Sequence, residues 1–524
     1  MGDANPNDTT TKHESTPAPA SAPQTALVLT TGPQAEHHMS GQLPADAYAS
    51  SLSPWRAAIR AWALKAVERE SPVIARVQAK VRRPWLDAYF VSTSSLGTHT
   101  FFMIALPMLF FFGYDELGRG LLFNLAFGVY TSSFVKDLVC SPRPFSPPVT
   151  RLTISTHHLE YGFPSTHSTN AVSIALFVFS HVHAAYTAPA STMTPAGYAL
   201  ACTVLAVYAF SIVLGRVYTA MHSATDCVAG VVMGAAVWAA YEGVKPALER
   251  WLASGSWSVP LTTIPACLLM VHFHPQPVDD CPCFEDAIAF VSVILGGWLA
   301  RWHIAYADLA STYLSSASTM PGSLFTTWDA RALWWGVALL KVSTGVLVIF
   351  AWRILAKVVL HRVLPPLFRA LAACVRLPNR RFYTPATDYA HVEPAEGLRP
   401  IPSVIDLHAL ADMDGDAGGA GASGVYGNNN WNASRSGNGA LKRRNGLGPS
   451  PLSESGEKKE KKEEERRERG KAGVVERGGK DEPGVSHYDA DVLTKVVVYA
   501  GIALLACEAI PVMFTVLGWG VRAY

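Results

Sequence analysis

The stretch AGYALACTVLAVYAFSIVLGRVYTAMHSATDCVAGVVMGAAVWAAYEG, residues 196–243, decides the fold. It holds two apolar runs, each about as long as the ~20 residues a helix needs to cross a bilayer. Between them lies a short polar hinge with Arg216, His222 and Asp226. A chain that leaves the membrane and re-enters it through ionisable residues is a polytopic helical protein with chemistry at one interface. Outward from this hairpin the pattern recurs. Apolar spans are expected near 97–114, 118–140, 168–187, 196–214, 223–243, 258–273, 285–304, 333–360 and 496–519, and residues 364–378 read as a further amphipathic or half-inserted helix. The fold class is therefore all-α, a polytopic membrane bundle of about 8–10 spans, because only helices satisfy their own backbone groups in lipid.

The remaining segments differ in composition. Residues 1–54 are rich in Pro, Ser, Thr and Ala without apolar periodicity and read as a disordered tail. Over 55–95, Trp55, Ala58, Ile59, Trp62, Ala63 and Val67 recur at helical spacing among Arg56, Arg60, Lys65 and Arg69, which predicts an interfacial amphipathic helix. The membrane core is assigned to 96–380. Residues 381–490 turn to Gly, Asn and Ser with a Lys/Glu/Arg block at 458–471, as expected of a disordered loop before the last span in 491–524.

Composition excludes several classes. With 49% hydrophobic and 16% charged residues and a mean hydropathy of +0.18 that includes the polar tails, the apolar part is lipid-like. A net charge of +2 argues against a nucleic-acid partner and leaves the bilayer and a lipid as the expected ones. The eight cysteines are scattered, several inside apolar runs, and read as packing rather than a disulfide framework. Cys281 and Cys283 beside His272 and His274 have no established zinc spacing, so no metal or other cofactor is expected.

Three short stretches carry the chemistry. Lys136 with Arg143-Pro144, Pro164-Ser165-Thr166-His167, and Arg216 with His222 and Asp226 each fall where an apolar span meets water. If successive spans alternate direction, all emerge on one membrane face. One lysine and two arginines can neutralise a phosphate dianion, and two histidines can serve as nucleophile and acid. Asp226, four residues after His222, is placed by helical spacing to hold the imidazole by one nitrogen. Taken singly, Lys136 or Arg216 would be an interfacial anchor and Pro144 a helix end; the joint spacing favours the site.

The pattern K-x6-R-P, P-S-x-H and R-x5-H-x3-D resembles the three-part signature of the type 2 phosphatidic acid phosphatase superfamily. LGTHTFFM (96–103), EYGFPSTHS (160–168) and PCFEDAIAF (282–290) are similar to its sphingosine-1-phosphate phosphatase branch. Thr166 stands where a glycine is usual, and Gly215 where a serine usually precedes the arginine. The resemblance implies a metal-independent lipid phosphatase of the endoplasmic reticulum membrane. In it His222 attacks phosphorus, Asp226 orients it, and His167 protonates the leaving group. Lys136, Arg143, Arg216, Ser165 and Thr166 would bind phosphate. Separately from the resemblance, Glu160, Glu285 and Asp286 lie on the catalytic side, where an acidic group could meet the ammonium of a sphingoid base or else cap a helix or pair with a nearby arginine. A broader lipid phosphate phosphatase would use the same residues; a vanadate haloperoxidase is disfavoured by the spans, and a non-catalytic scaffold or transporter by the intact catalytic set. The basic stretches map to the catalytic side, which the positive-inside tendency makes cytosolic, whereas the resemblance implies a lumenal site. Glycosylation at the Asn7 or Asn432 sequon would report the side.

Overall fold

The computed structural model describes residues 40–95, 99–152, 160–314, 319–387 and 487–522. Its elements are, in order, α1 (Ala45–Ser51), α2 (Pro54–Val81), α3 (Pro84–Ser95), α4 (His99–Phe111), α5 (Asp115–Val139), α6 (Thr166–Thr187), α7 (Pro195–Tyr218), α8 (Ala224–Leu252), α9 (Ser258–His272), α10 (Cys283–Tyr306), α11 (Leu309–Thr312) and α12 (Trp328–Cys374). They are followed by the two-residue parallel strands β1 (Tyr383–Thr384) and β2 (His487–Tyr488), by α13 (Asp489–Leu504), a π-helical turn (Leu505–Ala509) and α14 (Ile510–Val516).

The helices are arranged inside out relative to a water-soluble bundle. Along α7 Leu200, Val204, Val207, Phe210 and Leu214 all face outward, and α12 exposes Leu339, Leu347, Ile354 and Leu355. Outward apolar stripes of this size mark a surface covered by lipid. The polar residues go inside instead: Ser165, Thr166, His167, Ser168, Thr169, Asn170 and Ser173 at the start of α6 are all buried. Among the described residues, five helices, α7, α8, α10, α12 and α13–α14 taken through the π-turn, are long and apolar enough to cross a membrane. At 25 and 22 residues α5 and α6 also have the length, but both carry the polar residues that line the site. Helix α10 is the central post, packed against α5, α9 and α13, while α6 packs against α5, α7 and α8. Phe284, Ile288, Val291 and Leu295 of α10 close the main core with Tyr130, Cys267 and Val496.

Three expectations change. Residues 45–51, assigned to the disordered tail, form α1, because Tyr48 donates to Asp279 (2.8 Å) and lies under the Arg60 guanidinium, 3.5 Å from the ring centroid. Residues 1–39 and most of 381–490 lie outside the described residues. The expected span 333–360 and the separate helix 364–378 are one 47-residue helix, about 70 Å long at 1.5 Å per residue. Pro365 and Pro366 lie within it; they remove two backbone donors but their fixed φ is helical. Cys281 and Cys283, read as packing residues, are joined to each other in a disulfide.

Helix α2 is more than an interfacial float. Its buried stripe Arg60, Ala63, Val67, Ser71, Ile74 and Gln78 mixes polar with apolar residues at helical spacing. The polar members lace the loops of the site: Arg60 donates to Cys140 O (2.7 Å), Ser71 Oγ accepts from Phe145 N (3.1 Å), and Gln78 donates to Thr150 O (2.8 Å) and Tyr218 O (2.9 Å). Trp55, Ile59, Trp62, Val73 and Val77 remain outward on the opposite face.

Candidate active site

Three helix junctions meet at one buried point. The end of α5 supplies Lys136 and, after the left-handed C-cap at Cys140, the loop with Arg143. The start of α6 supplies Ser165, Thr166 and His167, and the α7–α8 junction supplies Arg216, His222 and Asp226. All eight side chains are buried. The residues that the motif spacing singles out are therefore brought together across three separate pairs of elements.

Two glycines make the junction close enough. A Cβ on Gly162 would lie 2.5 Å from Pro142 O and 3.2 Å from Arg143 Cα, so only glycine lets the 160–164 loop press on the arginine loop. On α8, a Cβ at Gly230 would lie 2.6 Å from Ser165 O. Ser165 N in turn donates to Asp226 O (3.1 Å), which ties the second motif directly to the third.

His222 precedes α8 rather than belonging to it. Ser223 is the N-cap, its Oγ accepting from Asp226 N (3.1 Å) while Asp226 Oδ2 accepts from Ser223 N (2.8 Å), a reciprocal capping box. Asp226 stays at ion-pair distance from His222, while the hydrogen bond to the ring goes to the backbone. Its carboxylate is 3.8 Å from His222 Nδ1, beyond hydrogen-bond length, whereas Gly162 O is 2.8 Å away. A carbonyl can only accept, so Nδ1 carries the proton and Nε2 presents its lone pair, here facing Arg143 Nη1 at 3.1 Å. Burial, then the neighbouring Arg143, Arg216 and Lys136, hold His222 well below the ordinary histidine range. The imidazole is therefore held neutral, with its Nε2 lone pair toward Arg143.

The cations are fixed by backbone contacts. Arg143 donates to Glu160 O (2.9 Å) and Met221 O (2.8 Å), and Arg216 ends α7 beside them. Arg216 Nε is buried and, among the described residues, meets no acceptor. A buried donor of this kind is free to bond a water or an anion. Arg151, which sequence reasoning passed over, is a further cation here: burial and then Arg143 push it down to about 10. His167 is near enough for its charge to influence His222.

The other expected ligands divide. Ser165 Oγ accepts from Ser168 Oγ (3.0 Å) and caps α6, while Thr166 Oγ1 accepts from Ser132 Oγ (3.1 Å), turning its hydroxyl toward α5. At Gly215 a Cβ would come 3.0 Å from the Phe90 ring, which accounts for the missing serine: α3 fills that space. Glu160 is paired with Lys136 Nζ and lies 3.7 Å from Arg143 Nη2, inside the cation cluster itself. Glu285 is committed elsewhere, to Lys495 (2.7 Å) and His487 (3.2 Å), so the head-group role is withdrawn for it. Half-buried Asp286 interacts electrostatically with both Glu160 and Lys136.

The PAP2 superfamily profile matches residues 117–247, a range that contains all three motifs. A dihydrosphingosine 1-phosphate phosphatase of Schizosaccharomyces pombe is 36% identical over 319 residues, covering 60% of this chain and 72% of its own length. A second protein of that name, from Saccharomyces cerevisiae, is 33% identical over 279 residues, 52% of this chain and 68% of its own. Lipid phosphate phosphatase delta of Arabidopsis thaliana is 31% identical over 256 residues, 48% of this chain and 61% of its own. With the motif residues gathered at one buried junction and relatives of this similarity over most of their length, the chain belongs to the PAP2 superfamily, in its sphingosine-1-phosphate phosphatase branch.

Proposed function

We propose that this protein is a membrane lipid phosphatase that hydrolyses the phosphate monoester of sphingoid long-chain bases, sphingosine, dihydrosphingosine or phytosphingosine 1-phosphate, to the free base and inorganic phosphate. The observation that carries it is the meeting of a neutral His222, with Nε2 presented, and the buried cations Lys136, Arg143 and Arg216, the last with an unmet donor. The two fungal relatives named for dihydrosphingosine 1-phosphate support the substrate class. The exposed apolar helices support a substrate whose tail stays in lipid while its head enters the bundle.

In the first step the Nε2 lone pair forms a bond to phosphorus in line with the ester oxygen. The P–O bond breaks with its electrons on oxygen, and His167 supplies the proton that makes the departing alcohol neutral. Lys136, Arg143 and Arg216 hold the equatorial oxygens, where charge is stabilised by donors already in position. Water, giving a proton back to His167, then attacks phosphorus, the N–P bond breaks toward Nε2, and phosphate leaves. Gly162 O keeps Nδ1–H in place throughout, the part first assigned to Asp226; Asp226 fixes the start of α8 on which His222 depends. Resemblance to this branch supports a location in the endoplasmic reticulum membrane.

Purified protein in detergent, given dihydrosphingosine 1-phosphate, phosphatidate and an isoprenyl diphosphate in separate reactions containing EDTA, tests the proposal through released phosphate. Preference for the sphingoid substrate is expected; turnover of phosphatidate at an equal or higher kcat/KM would contradict the substrate class, and activity restored only by added Mg²⁺ or Zn²⁺ would contradict the mechanism.

A further inference from the structure

In the structure the cations proposed to bind phosphate are held by a carboxylate of the chain itself. Lys136 and Arg143, 1% and 3% exposed, share Glu160, which is 8% exposed. A phosphate dianion on Lys136 would meet that carboxylate at contact distance, and two anions on one buried ammonium repel strongly. Displacing Glu160 is no simpler, because it leaves a buried charge without a counter-ion. A ligand that brings only a phosphate is thus opposed twice. A sphingoid base phosphate brings more: its ammonium sits on the carbon next to the one that bears the phosphate.

Building on the proposed function, we propose that substrate binding is an exchange of ion pairs, in which phosphate replaces Glu160 on Lys136 and Arg143 and the ammonium of the sphingoid base replaces those cations on Glu160. A zwitterionic head supplies a cation for the displaced Glu160, whereas phosphatidate or an N-acylated base supplies none, so a residue inside the phosphate pocket selects for a group outside it. This gives Glu160 the specificity role, through the very contacts with Lys136 and Arg143 that would otherwise mark it as structural.

Two measurements test this, one of them without any substitution. By calorimetry on the wild-type protein in detergent, free dihydrosphingosine should tighten vanadate binding on the order of tenfold, and N-acetyl dihydrosphingosine, which lacks the charge, should not. In turnover, wild type should prefer dihydrosphingosine 1-phosphate over its N-acetyl derivative by roughly tenfold or more in kcat/KM, and Glu160→Gln should close that gap, chiefly through KM, while binding vanadate more tightly on its own. A gap unchanged in Glu160→Gln, or vanadate binding in the wild type that is indifferent to dihydrosphingosine, would overturn the exchange. If Glu160→Gln fails to fold, the calorimetric result on wild type decides. Should wild type release phosphate from neither lipid, the functional reading falls, while the vanadate measurement still rules on the exchange.

Discussion

Gly230→Ala is the substitution whose consequence the structure defines most sharply. The added Cβ would lie 2.6 Å from Ser165 O and 2.9 Å from Ser168 Cβ. Ordinary carbon–oxygen contacts are about 3.3 Å or longer, so α6 and α8 must part by roughly 0.7 Å at this point. The displaced group is the N-cap of α6, one residue from Thr166 and two from His167, and its N–H is the bond to Asp226 that positions the start of α8. Overpacking of this kind costs about 1–3 kcal/mol of stability. Because a misplacement near 1 Å costs about a hundredfold in rate, a loss of roughly 10- to 100-fold in kcat is expected from protein that still inserts and folds. Gly243→Ala, on the same helix with nothing within 4 Å of the new Cβ, is the matched control and should be silent. The assay is phosphate release per folded molecule in detergent, with thermal melts to count folded protein. If Gly230→Ala turns over at the wild-type rate, or loses folded protein without losing kcat, the claim that this helix contact sets the catalytic geometry is wrong.

Two further predictions bear on the histidines. His167→Ala should slow an alkyl phosphate severely yet spare an aryl phosphate whose leaving group needs little protonation, and equal losses on both would remove His167 as the acid. His222 is held well below the ordinary value of 6.5, mainly by burial; the native state therefore declines a proton that the unfolded chain accepts, and stability is full above that value and falls as the pH drops below it. Thermal melts from about pH 7.5 down to 5.5 should show that decline in wild type and less of it in His222→Asn, and a decline of equal size in both would refute the assignment.

How far the sequence could be read depended on whether the relevant geometry was local. The three motifs announce their chemistry because Lys136, Arg143, Arg216 and His222 lie at span ends, and alternating spans must bring such ends to one face. The spacing put Asp226 within 3.8 Å of His222, but the four-residue rule presumes both residues on one helix, and α8 starts at Ala224 with His222 outside it. Its orienting partner, Gly162 O, lies sixty residues away and has no side chain to betray it. Glu160 and Glu285 looked equivalent as acidic groups on the catalytic side; only the packing of α13 against α10, which brings Lys495 to Glu285, tells them apart. The docked face of α2 was partly visible, since Ser71 and Gln78 continue the stripe of Ala63 and Val67 with groups that lipid would not satisfy.

The account rests on covalent transfer of phosphate to His222. Rapid-quench mixing of the purified protein with radiolabelled dihydrosphingosine 1-phosphate, followed by alkaline digestion and peptide mapping, tests that step directly. An acid-labile, alkali-stable phosphate on the peptide containing His222, formed within one turnover and absent from His222→Asn, is the predicted result; label on another residue, or a His222→Asn protein that still turns over, would contradict it.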